Sequence, residues 1–183
     1  MSTSSLVLLT LLIPLAAALL ITIFGRWPNL RDAISPLAAG VVTLMVIPLY
    51  QRFQAGSRLE LNLLEPLPGL PIQFELEPLG LLFALIVGPL WLITSLYAIG
   101  YMRSHHEQNQ TRFYAMFAIS IASTLGAALA GNLFTLFLCY EILTISTYPL
   151  VAHAGTPEAK RGARTYLAIL LGTSIGLQLL AII

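Results

Sequence analysis

The sequence predicts an all-α integral membrane protein of about six transmembrane helices, with a short extracytoplasmic β-hairpin between the second and third. Three observations lead there. Hydrophobic residues make up 57% of the 183 positions and charged residues only 9%, whereas a soluble domain carries roughly 25% charged residues. Six apolar runs approach the roughly 20 residues that cross a bilayer. The basic residues also fall unevenly between the connections. A single membrane domain over residues 1–183 is expected, with little chain left for a soluble catalytic unit.

The apolar runs place spans at residues 6–24, 34–50, 79–101, 113–130, 133–152 and 165–183. No Lys or Arg precedes the first, and its length exceeds that of a signal-peptide core, so a retained span is expected rather than a cleaved leader. Pro14, Pro36, Pro48, Pro89 and Pro149 fall in or near these runs. Neighbouring helices can satisfy the backbone groups that each proline frees, and a kink is expected at Gly88-Pro89. The fourth and fifth runs are separated only by the turn dipeptide Gly131-Asn132, which predicts a tight antiparallel pair.

Between the second and third runs the pattern changes. Leu59-Glu60-Leu61-Asn62-Leu63 and Ile72-Gln73-Phe74-Glu75-Leu76-Glu77 alternate apolar with polar, and Pro66-Leu67-Pro68-Gly69 breaks the chain between them. A period of two with a Pro/Gly connection predicts a hairpin over 59–77; the alternative is an irregular loop that happens to alternate. Arg26, Arg31, Arg103, Arg112, Lys160, Arg161 and Arg164 lie in odd-numbered connections, against Arg52 and Arg58 in the second. The positive-inside rule then puts the odd connections in the cytoplasm, with the hairpin and the N-terminus outside.

Several function classes drop out. A net charge of +1 with no basic run gives no footprint for a nucleic-acid partner. The sole cysteine, Cys139, sits in an apolar run, where it reads as a buried small residue. His105 and His106 beside Glu107 read as a solvated loop, so no metal site and no cofactor is predicted. No phosphate-binding loop, dinucleotide fingerprint or nucleophile elbow occurs, and the spans hold no nucleophile–base pair that would make a catalytic site.

Attention therefore turns to Glu141, the only acidic residue inside a span; Asp32, Glu60, Glu65, Glu75, Glu77, Glu107 and Glu158 fall in connections or at span edges. An ionisable group at mid-membrane costs about 2.5–3.5 kcal/mol on insertion scales and marks an ion pathway by default. Thr144 and Tyr148 follow at i+3 and i+7, on the same helical face, and form a polar stripe that should face protein or water. Burial favours the neutral form of a carboxyl and a nearby cation the charged form, so proton occupancy on such a stripe follows neighbouring charge. The alternative is a neutral glutamic acid acting as interhelical glue. His153, at the cytoplasmic end of the same helix, is the candidate for proton entry. Ser120, Ser123 and Thr124 form a small polar face on the fourth helix, and Gly172 and Gly176 a small-xxx-small pair on the sixth; both read first as helix packing, with a hydrated hydroxyl path as the other reading for such faces.

The runs Ala128-Leu129-Ala130-Gly131-Asn132-Leu133-Phe134 and Tyr140-Glu141-Ile142-Leu143-Thr144-Ile145-Ser146-Thr147-Tyr148-Pro149 resemble the core of the antiporter-like membrane subunits. That family is shared by respiratory complex I, Mrp-type multisubunit cation/proton antiporters and membrane-bound hydrogenases, and the D-type branch of the Mrp subunits is the nearest in pattern. A hairpin before a third helix opening Glu77-Pro78-Leu79-Gly80-Leu81 matches the family layout. The resemblance implies a bacterial inner-membrane subunit, part of a proton-translocating or cation/proton antiporter complex or of an ion-translocating oxidoreductase, with its key glutamate at Glu141. In the family a lysine two helices later partners that glutamate, and a second, inverted repeat follows. Neither is present here, and Thr165 stands before Tyr166 where the family often has lysine. The resemblance thus covers the N-terminal part of such a subunit. It implies either that another chain supplies the missing helices and lysine, alongside other membrane subunits, or that the chain is a non-conducting structural piece or truncated relic.

Overall fold

In a computed structural model, which describes residues 2–57 and 60–182, the chain forms six long helices and one hairpin. The helices are α1 (Thr3–Ile23), α2 (Pro28–Gln54), α3 (Pro78–Ser104), α4 (Gln110–Ala128), α5 (Leu133–Val151) and α6 (Pro157–Thr173). A π-helical segment, Ser174–Leu179, continues α6, and a last helical turn spans Leu180–Ile182. Leu59 and Arg58, which figure in the expected hairpin and charge distribution, and Ile183, which closes the sixth expected span, lie outside the described residues.

Several helices extend beyond their apolar runs, because polar first turns carry start signals that hydropathy does not register. Pro28, Pro78 and Pro157 occupy first-turn positions, where a missing N–H costs nothing. The side chains of Ser2, Asn132 and Thr156 cap α1, α5 and α6 by accepting from Ser5 N, Thr135 N and Ala159 N. Arg31 and Asp32, expected in a connection or at a span edge, are therefore buried within α2.

Five helices are long and apolar enough to cross a membrane. The sixth, α4, is less apolar and sits among α1, α2, α3 and α5, with its small residues Ala115, Ala118, Ala122 and Gly126 buried. A helix enclosed by others has less need of a greasy surface. Large apolar side chains are openly exposed elsewhere: Leu19, Leu37, Leu44, Ile93, Tyr97 and Leu177 are all more than 60% exposed. Two glycines of α3 mark close approaches to neighbouring elements. A Cβ at Gly80 would collide with the carbonyl of Ala128, and one at Gly88 would lie 2.8 Å from Thr43 Oγ1, beside Pro89.

The hairpin is present between α2 and α3. β1 (Glu60–Leu67) pairs antiparallel with β2 (Leu70–Glu75), from Glu60 opposite Glu75 to Leu67 opposite Leu70. Pro66 falls within an irregular stretch of the pairing, where its missing donor is tolerated. The turn is narrower than the expected four-residue breaker: Pro68-Gly69 suffices, with Gly69 at a φ of 81° that glycine adopts freely.

β2 also bonds to the α4–α5 turn. Glu75 N donates to Leu129 O at 2.9 Å, Gly131 N to Gln73 O at 2.8 Å, and Gln73 N to Thr135 Oγ1 at 2.8 Å. The hairpin and the α4–α5 turn thus share one end of the bundle with the start of α1, where Arg52 reaches Thr3 Oγ1 at 3.1 Å. The odd-numbered connections gather at the other end.

Candidate functional site

Glu141 lies in the ninth position of α5, half-buried, where the helix faces α6 and its π-helical continuation. The hydroxyl of Ser174 donates a short hydrogen bond to Glu141 Oε1. Ser174 is itself buried and opens the π-helical segment. Such departures from α geometry occur often at functional positions. Hydroxyls continue along both faces of α5. Thr147 Oγ1 and Tyr166 OH of α6 are 3.1 Å apart, and Ser146 Oγ and Ser120 Oγ of α4 are 2.8 Å apart.

The expected stripe divides along its length. Thr144 is buried, whereas Tyr148 borders a cavity at the end of the bundle where the odd-numbered connections meet. His153 borders the same cavity with its side chain 13% exposed. Its Nε2 lies 3.8 Å from Glu107 Oε2, its ring meets Phe113 edge-on at 5.3 Å, and neither ring nitrogen has a hydrogen-bond partner. Ser120 also donates to Met116 O, Ser123 to Ile119 O and Thr124 to Ser120 O. These back-bonds give each hydroxyl a partner within α4, while Thr124, half-buried, also borders a cavity beside Gly80 and Phe83. Gly172 and Gly176 meet no neighbour: a Cβ at either would have nothing within 4 Å.

One polar centre was not legible as such. Asp32, 2% exposed, holds two arginines at once. Arg31 Nε lies 2.7 Å from Oδ1, and Arg103 Nε of α3 lies 2.7 Å from Oδ2. Arg31 also reaches Gln110 Oε1 at 2.8 Å and Thr111 Oγ1 at 3.3 Å on α4. The three groups tie together the ends of α2, α3 and α4. The sequence signal was the Arg31-Asp32 pair following a helix-starting Pro28. Cys139 is half-buried rather than deep, and its Sγ occupies the space that a side chain at Gly126 would need.

Together these features define a multi-pass α-helical membrane protein with a polar track between α4, α5 and α6. No protein-family model matches the chain. It is 28% identical over 177 residues to the D subunit of the Na(+)/H(+) antiporter of Alkalihalophilus pseudofirmus, an alignment covering 94% of this chain and 34% of that protein. It is 28% identical over 152 residues to the N subunit of the NADH-quinone oxidoreductase of Desulforudis audaxviator, covering 81% of this chain and 29% of that one. A chain of the archaeal membrane-bound sulfane sulfur reductase, a respiratory membrane complex, shares the fold with a TM-score of 0.77 at 20% identity, over 91% of this chain and 34% of the other. The chain is thus related in sequence, over most of its length, to the antiporter-like membrane subunits. It spans about a third of the length of these relatives.

Proposed function

We propose that the chain is a subunit, or the N-terminal part of one, of a proton-translocating or monovalent cation/proton antiporter membrane complex, with Glu141 in the proton path. The observation that carries the reading is Glu141 itself: a carboxyl within an apolar helix, turned toward α6 and met by the Ser174 hydroxyl rather than by lipid. Intramembrane carboxyls that face a bundle interior mark ion pathways, and the antiporter protein among the relatives is named for sodium/proton exchange.

In this reading Thr144 and Tyr148 extend the path along α5, and His153 admits protons at the end of the bundle carrying the basic connections. That end faces the cytoplasm and the N-terminus faces out, in a bacterial inner membrane. A neighbouring chain supplies the cation that Glu141 needs. The chain would work beside other membrane subunits, and the open glycine face at Gly172 and Gly176 is where one of them packs.

The test is Glu141→Gln in the assembled complex. The amide keeps the size of the side chain and an acceptor for Ser174 but carries no exchangeable carboxyl proton. Coupled transport is expected to be abolished with assembly intact. Should transport persist at the parental rate while bulky residues at Gly172 and Gly176 dismantle the complex, the chain would instead be a non-conducting structural component.

A further inference from the structure

A cavity of about 730 Å³ opens where α4 begins, α5 ends and α6 begins. Arg112, Lys160 and Arg164 line it, all three exposed, and among the described residues none forms an ion pair. No carboxylate is among the described residues of its wall, although Glu107 Oε2 lies 3.8 Å from the ring of the wall residue His153; Tyr148, His153, Gln108 and Asn109 complete the polar lining. Lys160 and Arg164 stand four apart on the first turns of α6, so they project from one face, and Arg112 approaches from α4. Three uncompensated cations converging on one concavity raise a positive potential that selects an anion.

We infer that this cavity binds the phosphate headgroup of an anionic phospholipid. Its position favours a lipid over a free ion. The cations sit at the ends of membrane-crossing helices, the depth of headgroups, where basic pockets between helices hold anionic lipids. The cavity is also larger than a free phosphate needs. Below it, Pro149 and Ala152 of the wall share a helical face with Ile142 and Ile145, which are 50% and 58% exposed. That strip gives acyl chains an apolar track leading directly from the cationic mouth. The cavity also holds Tyr148 and His153 of the proposed proton path, but the three cations themselves have no part in that path, so their variants test the lipid without touching it.

The experiment is native mass spectrometry of the purified full chain in micelles doped with phosphatidylglycerol or phosphatidylcholine. One phosphatidylglycerol is expected to be retained in preference to phosphatidylcholine. Retention should fall by about thirtyfold in the double variant Arg112→Gln/Arg164→Gln, the effect of two juxtamembrane cations. The charge-matched control Arg26→Gln/Arg161→Gln, at two cations that do not line the cavity, should retain the lipid. Arg164→Lys, which keeps the charge, should bind like the parent and guards against a folding defect in the double variant. Equal retention of both lipids, an equal loss in the control pair, or displacement of the lipid by millimolar inorganic phosphate at the same residues would each overturn the lipid assignment.

Discussion

Asp32 and Arg103, 71 residues apart, meet at 2.7 Å and join α2 to α3. Arg31 takes the other carboxylate oxygen, so one buried acid pairs with two cations at once. Asp32→Ala leaves both guanidiniums without their counter-ion. Removing one partner of a buried ionic cluster costs about 3–5 kcal/mol. Titrating the purified variant with denaturing detergent should show that loss; a midpoint equal to the parental one would mean that the triad is not structural.

Ser174 donates to Glu141 from a different helix, which makes it a positioning residue for the proposed proton path. Ser174→Ala removes a hydrogen bond to an ionisable acceptor, a contact of about 1.5–3 kcal/mol. Coupled transport by the assembled complex should fall by about tenfold, with assembly unchanged and with activity recovered in Ser174→Thr. Equal rates for all three proteins would dissociate the serine from transport.

The glycines of α3 and α6 should respond in opposite ways. Gly80→Ala drives a methyl group into the Ala128 carbonyl, and overpacking of this kind costs about 1–3 kcal/mol. Gly172→Ala meets open space and should leave the isolated chain as stable as the parent. Comparing the two unfolding midpoints checks both, and a destabilised Gly172→Ala would place an unrecognised contact on α6.

Asn132 caps α5 through Thr135 N at 2.7 Å and also donates from Nδ2 to Pro71 O at 2.8 Å. Asn132→Ala should cost about 1 kcal/mol through the lost cap alone. Because the same side chain holds β2, the amides of Glu75 and Gly131 should exchange with solvent faster than in the parent. Hydrogen exchange confined to the first turn of α5 would show that the cap and the sheet are uncoupled.

The helices and the hairpin were legible because each rests on a pattern local in sequence: apolar length for the spans, a period of two for residues 60–75. What escaped was of two kinds. Polar first turns such as Pro28-Asn29-Leu30-Arg31-Asp32 belong to helices but carry no apolar signal, so hydropathy puts the Asp32 cluster in a connection or at a span edge. The partner of Glu141 is 33 residues away on a π-helical segment, and no spacing rule links positions across a change of helical pitch. The small face of Ser120, Ser123 and Thr124 was legible as a face, but not its bond to Ser146, which depends on how α4 and α5 are rotated against each other.

The backbone bonds between β2 and the α4–α5 turn give the two sides of the polar track unequal freedom. Sliding α5 along its axis would strain the main-chain pairings of the adjoining turn, whereas α6 and its continuation are bonded to α5 by the Thr147–Tyr166 and Ser174–Glu141 hydroxyl contacts and bury only Ala163 and Ser174. A neutral hydroxyl pair such as Thr147–Tyr166 is worth about 1 kcal/mol net. In any rearrangement around the carboxyl, the glutamate's helix is therefore the stator and the serine's helix the moving part.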